Sequence, residues 1–228
     1  MSDFKDFSKV FKEQLEAITK QFKELNIEES LNRMEKVAKH GAENGWTTPP
    51  HTTPMEFEQL MEGKNKDEMD MAFDEHYSDE DNFQAMKQTL LDNVFEGKWQ
   101  ELLDDCFDNY ERGRFKITIP SLFSIIEGTV FDIVQDQKWR VAFEREIEKI
   151  KEGSIKKPLF FSVYTFINKA FSSGKFEKKN YKPSIINRHW VLHGRDNISE
   201  WQRVDSLRLF NALYSLTLLN SNTNSKNN

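Results

Sequence analysis

The chain has 228 residues, 37% of them hydrophobic and 31% charged, with a formal net charge of −6. This balance excludes a disordered chain and fits one large soluble domain, or one domain plus an extension. Nineteen Phe against nine Gly and six Pro argue for long elements packed by bulky side chains, with few tight turns. Residues 3–25 place Phe4, Phe7, Phe11, Leu15, Ile18, Phe22 and Leu25 at alternating steps of three and four. That stripe predicts an amphipathic helix packed on its own bundle or on a partner chain. A second helix is expected over 28–39, ended by Gly41 and Gly45, and the prolines of T-T-P-P-H-T-T-P (47–54) mark a subdomain joint. Short helices follow near 55–62 and 66–73.

The acidic run D-E-H-Y-S-D-E-D (74–81) lacks the glycine and ligand spacing of a calcium loop, and one His among scattered carboxylates is a weak zinc pattern. A solvated helix start is the simpler expectation. Amphipathic helices are predicted over 82–95 and 97–112. The most apolar helix, 118–135, carries Ile119, Leu122, Phe123, Ile126, Val130 and Ile133 at helical spacing and is expected to be central, with Pro120 in its first turn. Helices over 138–151 and 158–173 follow, then a lysine-rich stretch (175–182) and a short helix over 183–193 ended by Gly194 in the left-handed conformation. A final helix opens at Ser199, with Gln202 completing a capping box, and runs to about residue 219. There is no convincing internal repeat and no alternating strand pattern. The expected fold class is all-α, a helical bundle with an N-terminal helical extension: residues 1–80, then a helical domain over 81–220, then a polar disordered tail over 221–228.

Cys106 is the only cysteine, so an intrachain disulfide is impossible and a reducing cytoplasm is the expected location. The first residues lack the apolar core of a signal peptide, and the apolar run near 159–167 is far short of a membrane span, so no membrane role is expected. Charge is unevenly spread. Residues 153–195 hold nine Lys or Arg and a single acid, Glu177, a local surplus of eight positive charges in an acidic protein. Such a segment suits a polyanionic partner or a merely solvated lysine loop.

That segment ends on I-N-R-H-W-V-L-H-G-R-D-N (186–197), which gathers Arg188, His189, His193 and Arg195 around Trp190. A neutral His can take a proton from a nucleophile and a charged one can give a proton to a leaving oxygen, while Arg offers a planar fork of donors to a phosphate. RNA supplies its own nucleophile in the 2′-hydroxyl, so these groups would suffice for transesterification with neither metal nor other cofactor. On a regular helix His189 and His193 share a face, whereas Arg188 and His193 stand about 140° apart. Convergence therefore needs unwinding at Gly194 or a second copy of the chain. A metal pair at His189 and His193 would lack the Glu and third ligand of the zincin pattern, and a purely structural Arg/His cluster stays open.

The run Arg188-His-Trp-Val-Leu-His193-Gly194, in a late helix before a final amphipathic one, resembles the signature of the HEPN superfamily, an Arg followed by four to six residues and a His. The wider I-I-N-R-H-W-V-L-H-G and the earlier I-I-E-G (125–128) resemble C-terminal HEPN-like domains of bacterial proteins, some tied to phage defence or toxin loci. The resemblance covers roughly residues 85–220. It implies a dimerising helical bundle that cleaves RNA without metal, with Arg188 on the scissile phosphate, His193 in proton transfer and His189 orienting one of them. Glu127 is the acid expected to accompany the motif, and a carboxylate on so apolar a helix needs a partner such as Arg188. Arg195, Lys178, Lys179 and Lys182 are the expected RNA contacts, and an inhibitory partner protein is an expectation for a toxin. Many HEPN domains are catalytically silent, so an RNA- or protein-binding module is the alternative.

Overall fold

A computed structural model of the chain describes residues 29–93, 97–136, 138–150, 154 and 156–220. The helix expected over 3–25 and the tail lie outside these residues. Every regular element among the described residues is helical: α1 (29–43), α2 (Pro54–Met61), α3 (Lys66–Ser78), α4 (Glu80–Asn93), α5 (Gln100–Glu111), α6 (Phe115–Val134), α7 (Trp139–Glu148), α8 (Lys156–Ala170), α9 (Arg188–Leu192) and α10 (Arg203–Asn220), with a 3-10 turn at Ile198–Glu200. The fold is an all-α bundle.

The centre is α10, not α6. Residues 206–216 are buried without a break, so α10 is enclosed on all sides by α6, α4, α8 and α3. Its polar residues are paired inside. Asn211 Nδ2 donates to the Thr47 carbonyl at 2.8 Å, Tyr77 donates to Asn211 Oδ1 at 2.6 Å, and the Ser215 and Thr47 hydroxyls are 2.8 Å apart. A buried polar group that keeps its hydrogen bonds avoids most of the desolvation penalty, which is why such a sequence can occupy a core. The residues that α10 meets include Thr47 and Thr48, so the proline-rich segment after α1 threads through the core. One apolar cluster runs from Met34 to Leu216 and joins the described part of 1–80 to the rest.

α6 flanks the centre. By length and composition it could span a membrane, and it is a longer apolar stretch than 159–167; it buries Ile119, Leu122, Phe123, Ile126 and Val130 while leaving Ile117 and Phe131 exposed. It starts at Phe115, so Pro120 sits beyond the first turn and the Lys116 carbonyl lacks its usual helical donor. Gly41 lies within α1, where the Met61 sulfur occupies the space a Cβ would need, and Gly45 ends the helix at φ +99°. The acidic run spans the end of α3 and the start of α4, with Asp79 accepting from the Asp81 and Asn82 amides as a cap. Ser199 belongs to the 3-10 turn rather than to α10, and it is Asp205 that reaches back to the Gln202 amide at 2.9 Å. Cys106 is buried on α5, and burial pushes its thiol up to about 12.

Candidate functional site

The short helix α9 forms because Asn187 organises both of its neighbours. Its side-chain carbonyl caps the helix by accepting from the His189 and Trp190 amides at 3.0 and 3.3 Å. Its amide donates to the Ser172 carbonyl and hydroxyl, at 3.3 and 3.2 Å, beyond the end of α8. The stretch before it, 183–187, is not helical, so the helix expected over 183–193 shrinks to five residues. Ile185, Ile186 and Val191 anchor it in the core. Gly194 stops the helix at φ +61° as its position predicts, and the Arg195 and Asp196 amides fold back onto the Trp190 carbonyl.

From this anchored turn, Arg188 crosses to α6. Its Nη2 lies 2.8 Å from Glu127 Oε2, with the side chains 26% and 37% exposed. Only one guanidinium nitrogen bonds the carboxylate; the other terminal nitrogen makes no hydrogen bond among the described residues, and Nε is buried without a partner. His189 and His193 share a face, their rings stacked at 5.9 Å and 15°. His189 is half-buried and His193 is exposed at the end of α9. Burial holds the His189 pKa below the ordinary histidine value, and the charges of Arg188, His193 and Arg140 add to that while Glu127 opposes it. The structure thus brings Arg188 to Glu127 and His189 to His193, with His189 feeling both halves. Gly128, next to Glu127, has the Trp99 ring against it, 2.4 Å from where a Cβ would stand.

The four residues expected to contact RNA separate. Arg195, Lys178 and Lys179 are exposed on and beside the 174–182 loop, and neither lysine forms an ion pair among the described residues. Lys182 instead bonds Glu200 on the 3-10 turn, which raises its pKa. It faces a cleft of about 220 Å³ lined also by Lys66, Asp70, Asp205 and Arg208, a lining that does not include Arg188, His189 or His193.

Three features escaped sequence reasoning. Arg140 of α7 acts on His189 from a different helix, which no local spacing could show. Phe176, 44% exposed, packs against Trp190, His193 and Arg195, and the signal available was the aromatic interleaved among lysines in K-F-E-K-K-N-Y-K. The third is Arg208, buried on α10 and bonded to Asp70 and Asp205. The chain matches no family model, no curated protein and no solved structure.

Proposed function

We propose that the protein is a HEPN-type endoribonuclease that cleaves RNA without metal, acting as a homodimer that places two copies of the α9 surface together, in a phage-defence or toxin role. The observation that carries this reading is the Arg188–Glu127 pair at 2.8 Å beside the stacked His189 and His193. Glu127 fixes one edge of the guanidinium and leaves donors for a phosphate oxygen. The depressed pKa of His189 keeps it neutral near pH 7, able to take the proton from the 2′-hydroxyl as that oxygen attacks phosphorus. His193, exposed at the helix end, gives a proton to the departing 5′-oxygen. The products are a 2′,3′-cyclic phosphate and a 5′-hydroxyl, with Arg188 stabilising the charge on the phosphoryl oxygens between them. A purely structural cluster would bury and satisfy both histidines, and an exposed His193 speaks against it.

The test is incubation of the purified protein with mixed RNA in EDTA, beside an Arg188→Ala/His193→Ala double variant. Cleavage by the wild type alone, leaving 2′,3′-cyclic ends, supports the reading. Equal cleavage by both proteins sinks the assignment of this motif.

A further inference from the structure

The 174–182 loop presents a partly exposed aromatic ring that the proton chemistry does not use. Phe176 is 44% exposed, yet it does not project. Its ring folds back over Gly174, with three ring carbons within 2.3–2.7 Å of where a Cβ on that glycine would stand, so only glycine admits this placement. Trp190 lies tilted against it at 5.9 Å and the His193 ring meets it edge-on at 5.8 Å. The Arg195 guanidinium carbon is 5.8 Å from its centroid. Trp190 is itself pinned, its Nε1 donating to the Gly174 carbonyl at 2.6 Å. The result is a fixed aromatic surface in direct contact with one of the two histidines, in a segment whose surplus charge is positive.

We propose that Phe176, seated on Gly174 with the Arg195 guanidinium over its ring, forms with that arginine a stacking platform for an unpaired base of single-stranded RNA, and that it sets the strand's position beside His193. The proposal rests on the nuclease reading for the identity of the polyanion. Charge complementarity selects the occupant: a basic rim attracts phosphates, and an aromatic face among cations adds base stacking, the combination by which single strands are held without sequence readout. A ring folded onto the backbone cannot insert into a bilayer, and a duplex keeps its base faces covered.

The experiment is fluorescence anisotropy with a labelled, fully 2′-O-methyl oligouridylate, which lacks the nucleophile and so separates binding from cleavage. It is read against an abasic strand of equal length and against heparin, using the wild type, Phe176→Ala and Phe176→Trp. The proposal expects Phe176→Ala to weaken oligouridylate binding on the order of tenfold, from the usual worth of one stacked base, and Phe176→Trp to retain it. The abasic strand and heparin should bind wild type and Phe176→Ala alike. Equal oligouridylate binding by wild type and Phe176→Ala, no measurable oligouridylate binding at all, or an equal loss on heparin overturns it. If the wild type cleaves no RNA while Phe176-dependent binding persists, the nuclease reading fails and the platform stands. If cleavage depends on Arg188 and His193 but binding ignores Phe176, the reverse holds.

Discussion

Arg208 and Arg188 each meet a carboxylate on another helix, and they do so in opposite ways. Arg208 of α10 is fully enclosed, bonded to Asp205 Oδ1 at 2.5 Å and to Asp70, which also accepts from Trp46 and Lys66. Arg188 of α9 is a quarter exposed, with one carboxylate on one of its nitrogens. Both keep a buried Nε without a partner, so an orphan donor does not distinguish them. What differs is where the remaining donors point. Both terminal nitrogens of Arg208 are bonded to carboxylates, whereas one terminal nitrogen of Arg188 makes no hydrogen bond among the described residues. A buried arginine with a carboxylate on each terminal nitrogen is a structural joint, whereas a half-open pair beside titratable groups is where a ligand can act.

The largest effect that separates the two is on stability. Arg208→Ala takes the cation from Asp205, leaves Asp70 with Lys66 and Trp46 alone, and empties the space of a large, fully enclosed side chain; it should lower the unfolding free energy by about 3–5 kcal/mol, read by urea denaturation. A loss below about 1 kcal/mol would place Arg208 with the surface pairs.

Acid should find the same joint. Burial raises the Asp70 carboxyl, but the Arg208 charge and the hydrogen bonds from Lys66, Trp46 and Arg208 outweigh it and leave the pKa below the ordinary carboxylate range. A carboxylate depressed in the folded state stabilises fully above its unfolded value of about 3.9, and that contribution is lost as pH falls from there through the folded value. The urea midpoint of Asp70→Asn should therefore fall less steeply than that of the wild type between about pH 5 and 3. Parallel curves would mean that Asp70 is not held by Arg208.

Smaller still is the effect of loosening the turn that carries the site. Asn187→Ala removes the α9 cap and the tie to Ser172, for an expected loss of about 1–2 kcal/mol. Cleavage should fall further than stability does, because Arg188 and His189 ride on that turn. Proportionate losses in urea titration and RNA cleavage would make Asn187 merely a structural residue.

The sequence showed some of this and hid the rest for physical reasons. Apolar spacing located α6, and Glu127 stood out on it as a carboxylate in need of a cation, which Arg188 supplies. Gly194 announced the end of α9. In contrast, the enclosure of α10 was masked because Ser206, Arg208, Asn211 and Ser215 look like a solvated face until Thr47, Tyr77 and Asp70 arrive to pair with them. Those partners come from over a hundred residues away, and periodicity carries no information at that range. Ser199 with Gln202 had the spacing of a capping box, but the Asn197 side chain takes the Ser199 amide at 3.2 Å and starts a 3-10 turn instead. The sharing-out of the lysines was equally invisible, since Lys182 is drawn to Glu200 by the fold rather than by its neighbours.

The measurement that bears most directly on this contrast is Arg188→Ala, carried through urea denaturation and RNA cleavage in EDTA on the same preparation. A partly exposed pair joined through a single nitrogen contributes little to stability, so the unfolding free energy should change by less than about 1 kcal/mol, while cleavage is abolished. A loss of several kcal/mol would make Arg188 a second Arg208, and wild-type cleavage by the folded variant would remove it from the chemistry.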